Sequence, residues 1–583
     1  MINFSLSAKE QFIVIEAENF ANTGTWAVDH QSIDRIGSSY LLAHGLGKPC
    51  VDAETFAVCP EQGAYHVWVR TREWSGSGLT DKAPGRFQVY INGTPLDTVF
   101  GMGKTEWNWH YGGKIQLPAS TFKVSLRDLT GFEGRCDAII FSTGDGLISH
   151  QSEDPLIDLR KLNGKPEKHT KHYDLVVTGG GLAGISAAIV AARQGLKVAL
   201  IHNRPVLGGN NSPEIRIPVS GDLNCPPYTK LGNVTKALEN PEKNGDWERN
   251  GAWKKEIILR EKNIDLFLEM HVTDVAVKKN KIKSVTARHI RTNKLLRFKG
   301  KLFADCTGDG VIGYLAGADY RTGRESGSET GESLAPEKSD SLVLGASIFW
   351  NSGKSNTPVD FPGCIWALPF REESCQHVLS SAWNWEGGFQ HDMAADVELI
   401  RDNLFLAIYG NWSFQKNHSV KKKQYAAYIL SEMAYVLGKR ESRRLMGDYV
   451  YSEHDIRSND MLPDGLIPSK WGIDLHYADP VNEIFFSDKA FRSVAVHEQK
   501  QTHPVRYLPY RSLYSRNIRN LFMAGRCTGM THVAHGMFRT QATTGMTGEV
   551  VGMAAFLCRK YGLTPRQVYF SRLNELKTLL KEI

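Results

Sequence analysis

Residues Gly179-Gly180-Gly181-Leu182-Ala183-Gly184 place glycines at the spacing G-x-G-x-x-G. That spacing suits a pyrophosphate, because residues without a Cβ permit a tight turn and let backbone N–H groups approach an anion at a helix N-terminus. An acidic side chain about 20 residues further on normally binds the ribose hydroxyls. Here Ala199 to Pro205 reads ALIHNRP, with no carboxylate. His202 and Asn203 are the groups that can meet a ribose in its place, and Arg204 can meet a phosphate. Gly208, Gly209 and Asn210 follow in a polar loop suited to capping backbone groups against a polar ligand.

The flanking residues supply the elements such a loop requires. Asp174 to Thr178 is a short apolar, β-branched run, Leu182 to Gln194 a small-residue helix stopped by Gly195, and Lys197 to Ile201 a second strand. A β-rich stretch follows: Asp265 to Met270, Val272 to Val277, Ile282 to Ile290 and Leu295 to Phe298, with a turn at Lys278 to Lys281. It ends in Phe303 to Thr307 and a second glycine set, Gly308, Gly310 and Gly313, again G-x-G-x-x-G. Two fingerprints allow a protein with separate FAD and NAD(P)H domains. Against that reading, the segment after Gly313 turns polar and glycine-rich too soon for a full helix and second strand, and no C-x-x-C dithiol exists to receive electrons. One nucleotide domain, re-entered by the strand Phe303 to Thr307, is the better account.

The chain of 583 residues is too long for one core and suggests about two to four domains. A 41% hydrophobic and 23% charged composition is that of a soluble globular protein. The formal charge of +7 is spread over 70 basic and 63 acidic residues, with no basic run interleaved with aromatics, so no nucleic-acid partner is expected. The longest apolar span coincides with the glycine loop and its helix, so no membrane span is expected. Nine cysteines at irregular spacings imply neither a disulfide framework nor a zinc site. The N-terminal MINFSLSAKE carries no signal-peptide pattern, which reads as cytoplasmic, or periplasmic or secreted if a leader has been removed.

Leu207-Gly208-Gly209-Asn210, Thr307-Gly308-Asp309-Gly310 and Asn520-Leu521-Phe522-Met523-Ala524-Gly525-Arg526-Cys527 together resemble the FAD-dependent oxidoreductases related to glutathione-reductase-type flavoproteins. The resemblance covers residues 172 to about 560, and the GKRESRR stretch at 438–444 and Trp471 to His476 look like further blocks of it. It implies FAD as cofactor, with Gly179, Gly181, Leu182, Ala183, Gly184, His202, Asn203, Arg204, Gly208, Gly209, Asn210, Val272, Thr307, Gly308, Asp309, Gly525 and Arg526 in contact. It also implies a late helix, Thr544 to Leu557, whose N-terminus faces the flavin, with Thr547 and Gly548 as N–H donors. Gly545, Gly548 and Gly552 give that helix a small-residue face for close approach of backbone, helix or cofactor. The loop before it would lie beside the flavin ring, which makes His532 or His535 the base, with His476 in reserve. Arg526 and Arg539 would orient substrate or stabilise reduced flavin. Cys527 is either redox-active or a small core residue.

Residues 1–150 read as an all-β sandwich or jelly roll, with alternating runs at Phe12 to Ile15, Tyr65 to Arg70, Arg86 to Ile91, Phe122 to Leu126 and Asp137 to Phe141. Their first and last strands resemble carbohydrate-binding modules of galactose-binding-like fold. That resemblance implies a structural calcium held by Glu16, Glu18 and Asp137, which can equally be ordinary surface carboxylates. Trp107, Trp109, His110 and Tyr111 are either a sugar platform or core aromatics.

The expected plan is a multidomain α/β plus all-β chain. A sandwich (1–150) leads through a linker (151–171) to an FAD domain in two parts (172–320 and 506–583), with a substrate domain inserted between them (321–505). That insert carries helices Ala394 to Ile408 and Lys423 to Leu437, and Arg440, Arg443 and Arg444 on adjacent helical turns. The expected activity is oxidation of a secondary alcohol of a sugar or glycoside by hydride transfer to flavin N5, with a separate electron acceptor. The alternatives are redox-neutral glycoside cleavage through transient oxidation and elimination, or a carbohydrate-binding protein with a vestigial flavin fold.

Overall fold

Strand Glu167–Thr178 is central to a seven-stranded sheet. On one side it pairs in parallel with Val198–Ile201, which pairs in parallel with Ile264–Phe267. On the other it pairs in parallel with Leu295–Asp305, a single long strand where the sequence suggested two. The first half of that long strand carries the antiparallel strands Ile282–His289 and Met270–Val277. Its last residues, Phe303 to Asp305, pair in parallel with Leu521–Met523. Gly179, His202, Cys306 and Ala524 thus all follow the carboxyl ends of parallel strands, where open α/β sheets bind ligands.

The computed structural model describes residues 11–144, 167–241, 245–458, 460–497 and 504–583. The expected linker lies outside the described residues as far as 166; Glu167 to Lys171 already belong to the central strand.

Helix Leu182–Arg193 is buried from Leu182 to Ala192. The late helix runs Gln541–Tyr561 and packs directly on it: a Cβ at Gly548 would overlap the Ala183 carbonyl, and one at Gly552 would lie 2.6 Å from the Ala187 carbonyl. The small-residue face therefore serves helix-to-helix approach. It also moves the helix start. Thr547 and Gly548 lie nearly two turns inside, where N–H groups belong to the helix ladder, so neither is a terminal donor.

The second glycine set opens only a five-residue helix, Val311–Leu315. Two other expectations are corrected. The residues read as a helix from 423 to 437 form a short helix, Lys422–Tyr425, and a strand, Tyr428–Met433, paired with Trp350–Lys354. Its aromatic and β-branched residues fit a pleated ribbon once a partner strand is available. Arg440, Arg443 and Arg444 are likewise not helical: Arg444 opens a two-residue strand paired with Tyr320–Arg321. Helix Ala394 to Ile408 is found as Val397–Asn417.

The N-terminal region has two four-stranded antiparallel sheets, ordered Phe12–Glu16, Ala138–Ser142, Gly63–Thr71, Asn108–Leu117 and Ala53–Val58, Thr121–Asp128, Phe87–Ile91, Thr94–Phe100. Phe87, Phe100, Val67, Phe122 and Phe141 are buried between them. A three-stranded sheet, Ala27–Asp29, Tyr40–Ala43 and Gly134–Cys136, turns toward the rest of the chain. There Arg135 donates to Glu398 (2.6 Å) and to Asp402 (2.6 Å), and Arg401 binds Asp29. Trp107 Nε1 donates to Glu398 at 3.2 Å, so this tryptophan is part of the junction. No described helix is long and apolar enough to cross a membrane.

Candidate active site

The glycine loop is shaped by what surrounds it. Gly179 has φ +104°, and a Cβ there would overlap the Cys306 carbonyl of the neighbouring strand end. Gly181 bridges to Gly208, and a Cβ on Gly209 would lie 3.0 Å from Gly181 Cα. Asn210 Nδ2 donates to the Lys439 carbonyl at 3.0 Å, tying the polar loop to the inserted region.

His202 and Arg204, expected to meet the ribose and a phosphate, engage groups of the protein itself. The Gly180 N–H donates to His202 Nδ1 and His202 Nε2 donates to the Val206 carbonyl, both at 3.0 Å, so the ring latches the loop and has no nitrogen left for ribose. Burial holds this imidazole at about 4, neutral at physiological pH. Arg204 is buried and spent on Glu214, on His30 Nδ1 (2.7 Å) and on the Tyr435 hydroxyl (3.0 Å). Val272 is a buried strand residue paired with Ala287.

Three buried polar atoms at the strand ends have no protein hydrogen-bond partner among the described residues: Thr178 Oγ1, Asp309 Oδ1 and Arg526 NH1. Arg526 lies over Gly308, where a Cβ would meet its guanidinium, and 3.6 Å from Asp309. Lys439 binds the other Asp309 oxygen at 2.7 Å. Burial alone would raise the Asp309 pKa, but Lys439 and Arg526 outweigh it and hold the carboxyl below its usual range. Glycines, a hydroxyl, a carboxylate and a guanidinium with unused hydrogen-bonding capacity fit the hydroxyls and phosphates of FAD. Thr307 instead closes its own loop: its N–H and hydroxyl donate to Asp305, at 3.1 and 2.7 Å. The Gly525 N–H is held by Thr547 Oγ1 at 2.8 Å, which gives Thr547 a side-chain role at this turn.

The segment after Gly525-Arg526, expected to be a loop, is a helix, His532–Phe538, capped by Thr531 Oγ1. His532 and His535 stand at i and i+3, on one face. His532 Nδ1 donates to Glu441 at 2.9 Å, and its buried Nε2 has no hydrogen-bond partner among the described residues. His535 Nε2 donates to the Arg440 carbonyl at 3.0 Å, and its buried Nδ1 has no hydrogen-bond partner among the described residues. Burial and, for His532, the Arg444 charge keep both rings neutral, His532 at about 3. Each therefore presents one nitrogen lone pair. Glu441 is itself fixed by Arg444 and by the Leu344 N–H at 2.9 Å.

Both nitrogens of His476, expected as the reserve base, face carboxylates: Nδ1 contacts Glu386 and Nε2 contacts Asp474 at 3.0 Å. Arg539 donates to Asp474 (2.9 Å) and lies 3.3 Å from His476; burial lowers its pKa to about 10. Arg440 lies 2.7 Å from the same Glu386 oxygen that faces His476. An exposed Trp383 stands 5.5 Å from the His476 ring. Glu441 and Glu386 were missed in sequence. Glu441 lies inside the GKRESRR stretch, where the arginines drew attention; Glu386 carries no local signal. Cys527 is a fully buried thiol whose pKa burial raises well above its usual value, a core residue.

In the N-terminal region, Glu16, Glu18 and Asp137 bring carboxylate oxygens within 4.8 Å of one another. Asp137 also binds Arg70 at 2.6 Å, and Glu18 accepts from Asn293 at 2.7 Å. Trp109, His110 and Tyr111 lie on strand Asn108–Leu117, with Tyr111 exposed 5.0 Å from Trp68.

Among curated proteins, the chain is 56% identical over 39 residues to the soluble pyridine nucleotide transhydrogenase of Ectopseudomonas mendocina (strain ymp), a match spanning 7% of this chain and 8% of that protein. Among solved structures, a geranylgeranyl bacteriochlorophyll reductase-like protein from Thermoplasma acidophilum is 15% identical. It covers 71% of this chain and 84% of its own, with a TM-score of 0.31. A family 35 carbohydrate binding module from Clostridium thermocellum is 16% identical, covering 22% of this chain and 97% of its own, with a TM-score of 0.19. The model of the FAD dependent oxidoreductase family matches residues 174–580, from the central strand to the last helix, and the chain belongs to that family of enzymes.

Proposed function

We propose that this FAD-dependent oxidoreductase oxidises a secondary alcohol of a carbohydrate or glycoside, with His532 as the base. The observation that carries the reading is the asymmetry of the His532 ring: Nδ1–H is committed to Glu441, which leaves Nε2 as a buried lone pair. A carboxylate behind an imidazole fixes the tautomer and stabilises the cation that forms when the far nitrogen takes a proton. FAD, held by the glycine loop, Thr178, Asp309 and Arg526, supplies the two-electron acceptor for the carbinol hydrogen. Arg440, Arg539 and Glu386 offer hydrogen bonds to neighbouring hydroxyls, and the exposed Trp383 offers a face on which a sugar ring can stack. Anaerobic mixing of the FAD-loaded enzyme with a panel of glycosides tests the reading. One or more sugars should bleach the flavin; if none does, the sugar reading is lost.

The second free imidazole nitrogen, on His535, favours a further possibility: after transient oxidation, a second base removes the now acidified C–H and the aglycone leaves with its bonding pair; water adding to the resulting alkene and return of the hydride to the ketone would close the cycle without an external acceptor. Release of aglycone with no added acceptor supports it, and strict dependence on an acceptor rules it out.

A further inference from the structure

Strand Val198–Ile201 ends without an acidic residue, and the carboxylates close to that end in sequence are already committed. Glu214 is bound by Arg204, and Glu269 by Arg291 at 2.6 Å. The carboxylate that does reach this end of the sheet comes from the N-terminal region. His30 Nδ1 accepts from Arg204, the residue two places after His202, and the His30 and His271 rings are 5.9 Å apart. His271 precedes Val272 on strand Met270–Val277, and its Nε2 donates to Asp34 Oδ1 at 2.9 Å. The other Asp34 oxygen has no protein partner among the described residues, and the side chain is 68% exposed.

Asp34 also shares its electrostatic surroundings with the cofactor loops. Burial of its surroundings works to raise its pKa, but the His271 hydrogen bond and the charges of Arg443 and Lys439 outweigh this and keep it ionised. The same two cations engage the Thr307–Gly310 turn: Lys439 binds the Asp309 carboxylate, and Arg443 NH1 donates to the Asp309 carbonyl at 3.4 Å. Asp34 thus lies within electrostatic reach of the cations that engage the Thr307–Gly310 turn.

We propose that Asp34 binds the adenosine ribose hydroxyls of FAD, in place of the acidic residue missing after Ile201. An ionised carboxylate with one oxygen oriented by His271 keeps acceptor capacity for a vicinal diol, which is what the absent residue would have offered. The N-terminal sandwich is then part of the cofactor site. The inference rests on membership of the FAD family and is independent of which substrate is oxidised, so flavin bleaching by sugars and the test below can fail separately.

The test uses the full-length apoprotein, titrated with FAD and with the FAD analogue whose adenosine ribose lacks the 2′-hydroxyl, binding being read from flavin fluorescence. The wild-type protein should prefer FAD by about tenfold, the worth of a hydrogen bond to a charged group. Asp34→Asn should weaken FAD binding by about tenfold to a hundredfold and bind both cofactors alike. Because each variant is its own reference, a loosened junction lowers both affinities together and leaves the preference intact. A preference that survives Asp34→Asn overturns the proposal. So does a wild-type protein with no preference, a result that needs no variant to fold.

Discussion

Glu441 accepts a hydrogen bond from Nδ1 of His532 at 2.9 Å, and the opposite ring nitrogen is buried with no hydrogen-bond partner among the described residues. On the proposed reading, this relationship separates the base from the residue that positions it. His532→Gln should slow flavin reduction by about 10²- to 10⁴-fold, the usual range for a general base. Glu441→Gln should slow it by about tenfold or more through loss of tautomer control, with FAD content unchanged. Arg444 keeps Glu325 as a partner at 2.8 Å, so the glutamine variant leaves no buried charge alone. Stopped-flow reduction measures both; full rates in both variants would remove His532 from the chemistry.

Acid should destabilise the fold from about pH 6.5 downward. His30, His202, His532 and His535 are buried and held neutral by desolvation, with His202 at about 4 and His532 at about 3. Their folded pKa values lie below the unfolded value of about 6.5, so between those limits the unfolded chain binds more protons and stability falls as pH falls. Each such group contributes a slope of about 1.4 kcal/mol per pH unit. His44 runs the other way, because Glu133 outweighs burial and raises its pKa; its contribution falls above about pH 6.5, where stability is lost as pH rises, and adds nothing to the slope below. Urea melts of the apoprotein between pH 8 and pH 4.5 should show the decline; a midpoint independent of pH over that range contradicts the burial of these rings.

What was legible in the sequence was local. Gly179 and Gly208 must be glycine because their backbones adopt positive φ, and that requirement shows in the pattern itself. The late helix was legible from its small residues, although its start was not: Thr540 stands at the N-cap but makes no side-chain capping bond. The illegible parts are long-range pairings. Glu441 and His532 are 91 residues apart, and Arg204 is neutralised by groups from three separate segments, so its charge looked available when it was not. Tyr428 to Met433 misled because a short apolar run fits helix or strand until its partner, Trp350–Lys354, is known.

The N-terminal region should unfold together with the rest. Arg135 and Arg401 are fully buried at the junction with Glu398, Asp402 and Asp29, and these arginines hold the Glu398 and Asp29 pKa values down to about 2 against the effect of burial. Arg135→Ala leaves two carboxylates without that partner and should cost about 3–5 kcal/mol. Calorimetry should give one transition for the wild type, and a lower or split one for the variant. An unchanged single transition would show that the junction contributes nothing.

The cluster of Glu16, Glu18 and Asp137 predicts a response to calcium, since oxygen ligands of this kind suit a hard cation. Millimolar calcium should raise the melting temperature of the chelator-treated protein, and Glu18→Gln should reduce the rise. Equal melting curves with calcium and with chelator would leave these carboxylates to protein partners, Arg70 and Ser38 on Asp137 and Asn293 on Glu18 among them.

The packing of the two long helices sets the last prediction. At Gly548 the late helix lies so near Ala183 that an added methyl would overlap a backbone carbonyl, which, unlike a flexible side chain, cannot swing aside. Ala183 belongs to the glycine loop, and Thr547, the preceding residue, holds the Gly525 N–H at 2.8 Å. Gly548→Ala should therefore act twice. Overpacking should cost about 1–3 kcal/mol of stability, at the upper end because backbone must move. Displacing both loops that face the cofactor should also lower FAD occupancy by more than that loss explains. Gly195→Ala is the comparison: its Cβ would meet nothing within 4 Å, so its cost is backbone strain at φ +84° in a turn remote from the cofactor loops. Urea midpoints and flavin content measured side by side decide the matter; full FAD content in Gly548→Ala would show that the helix contact and the cofactor loops are mechanically independent.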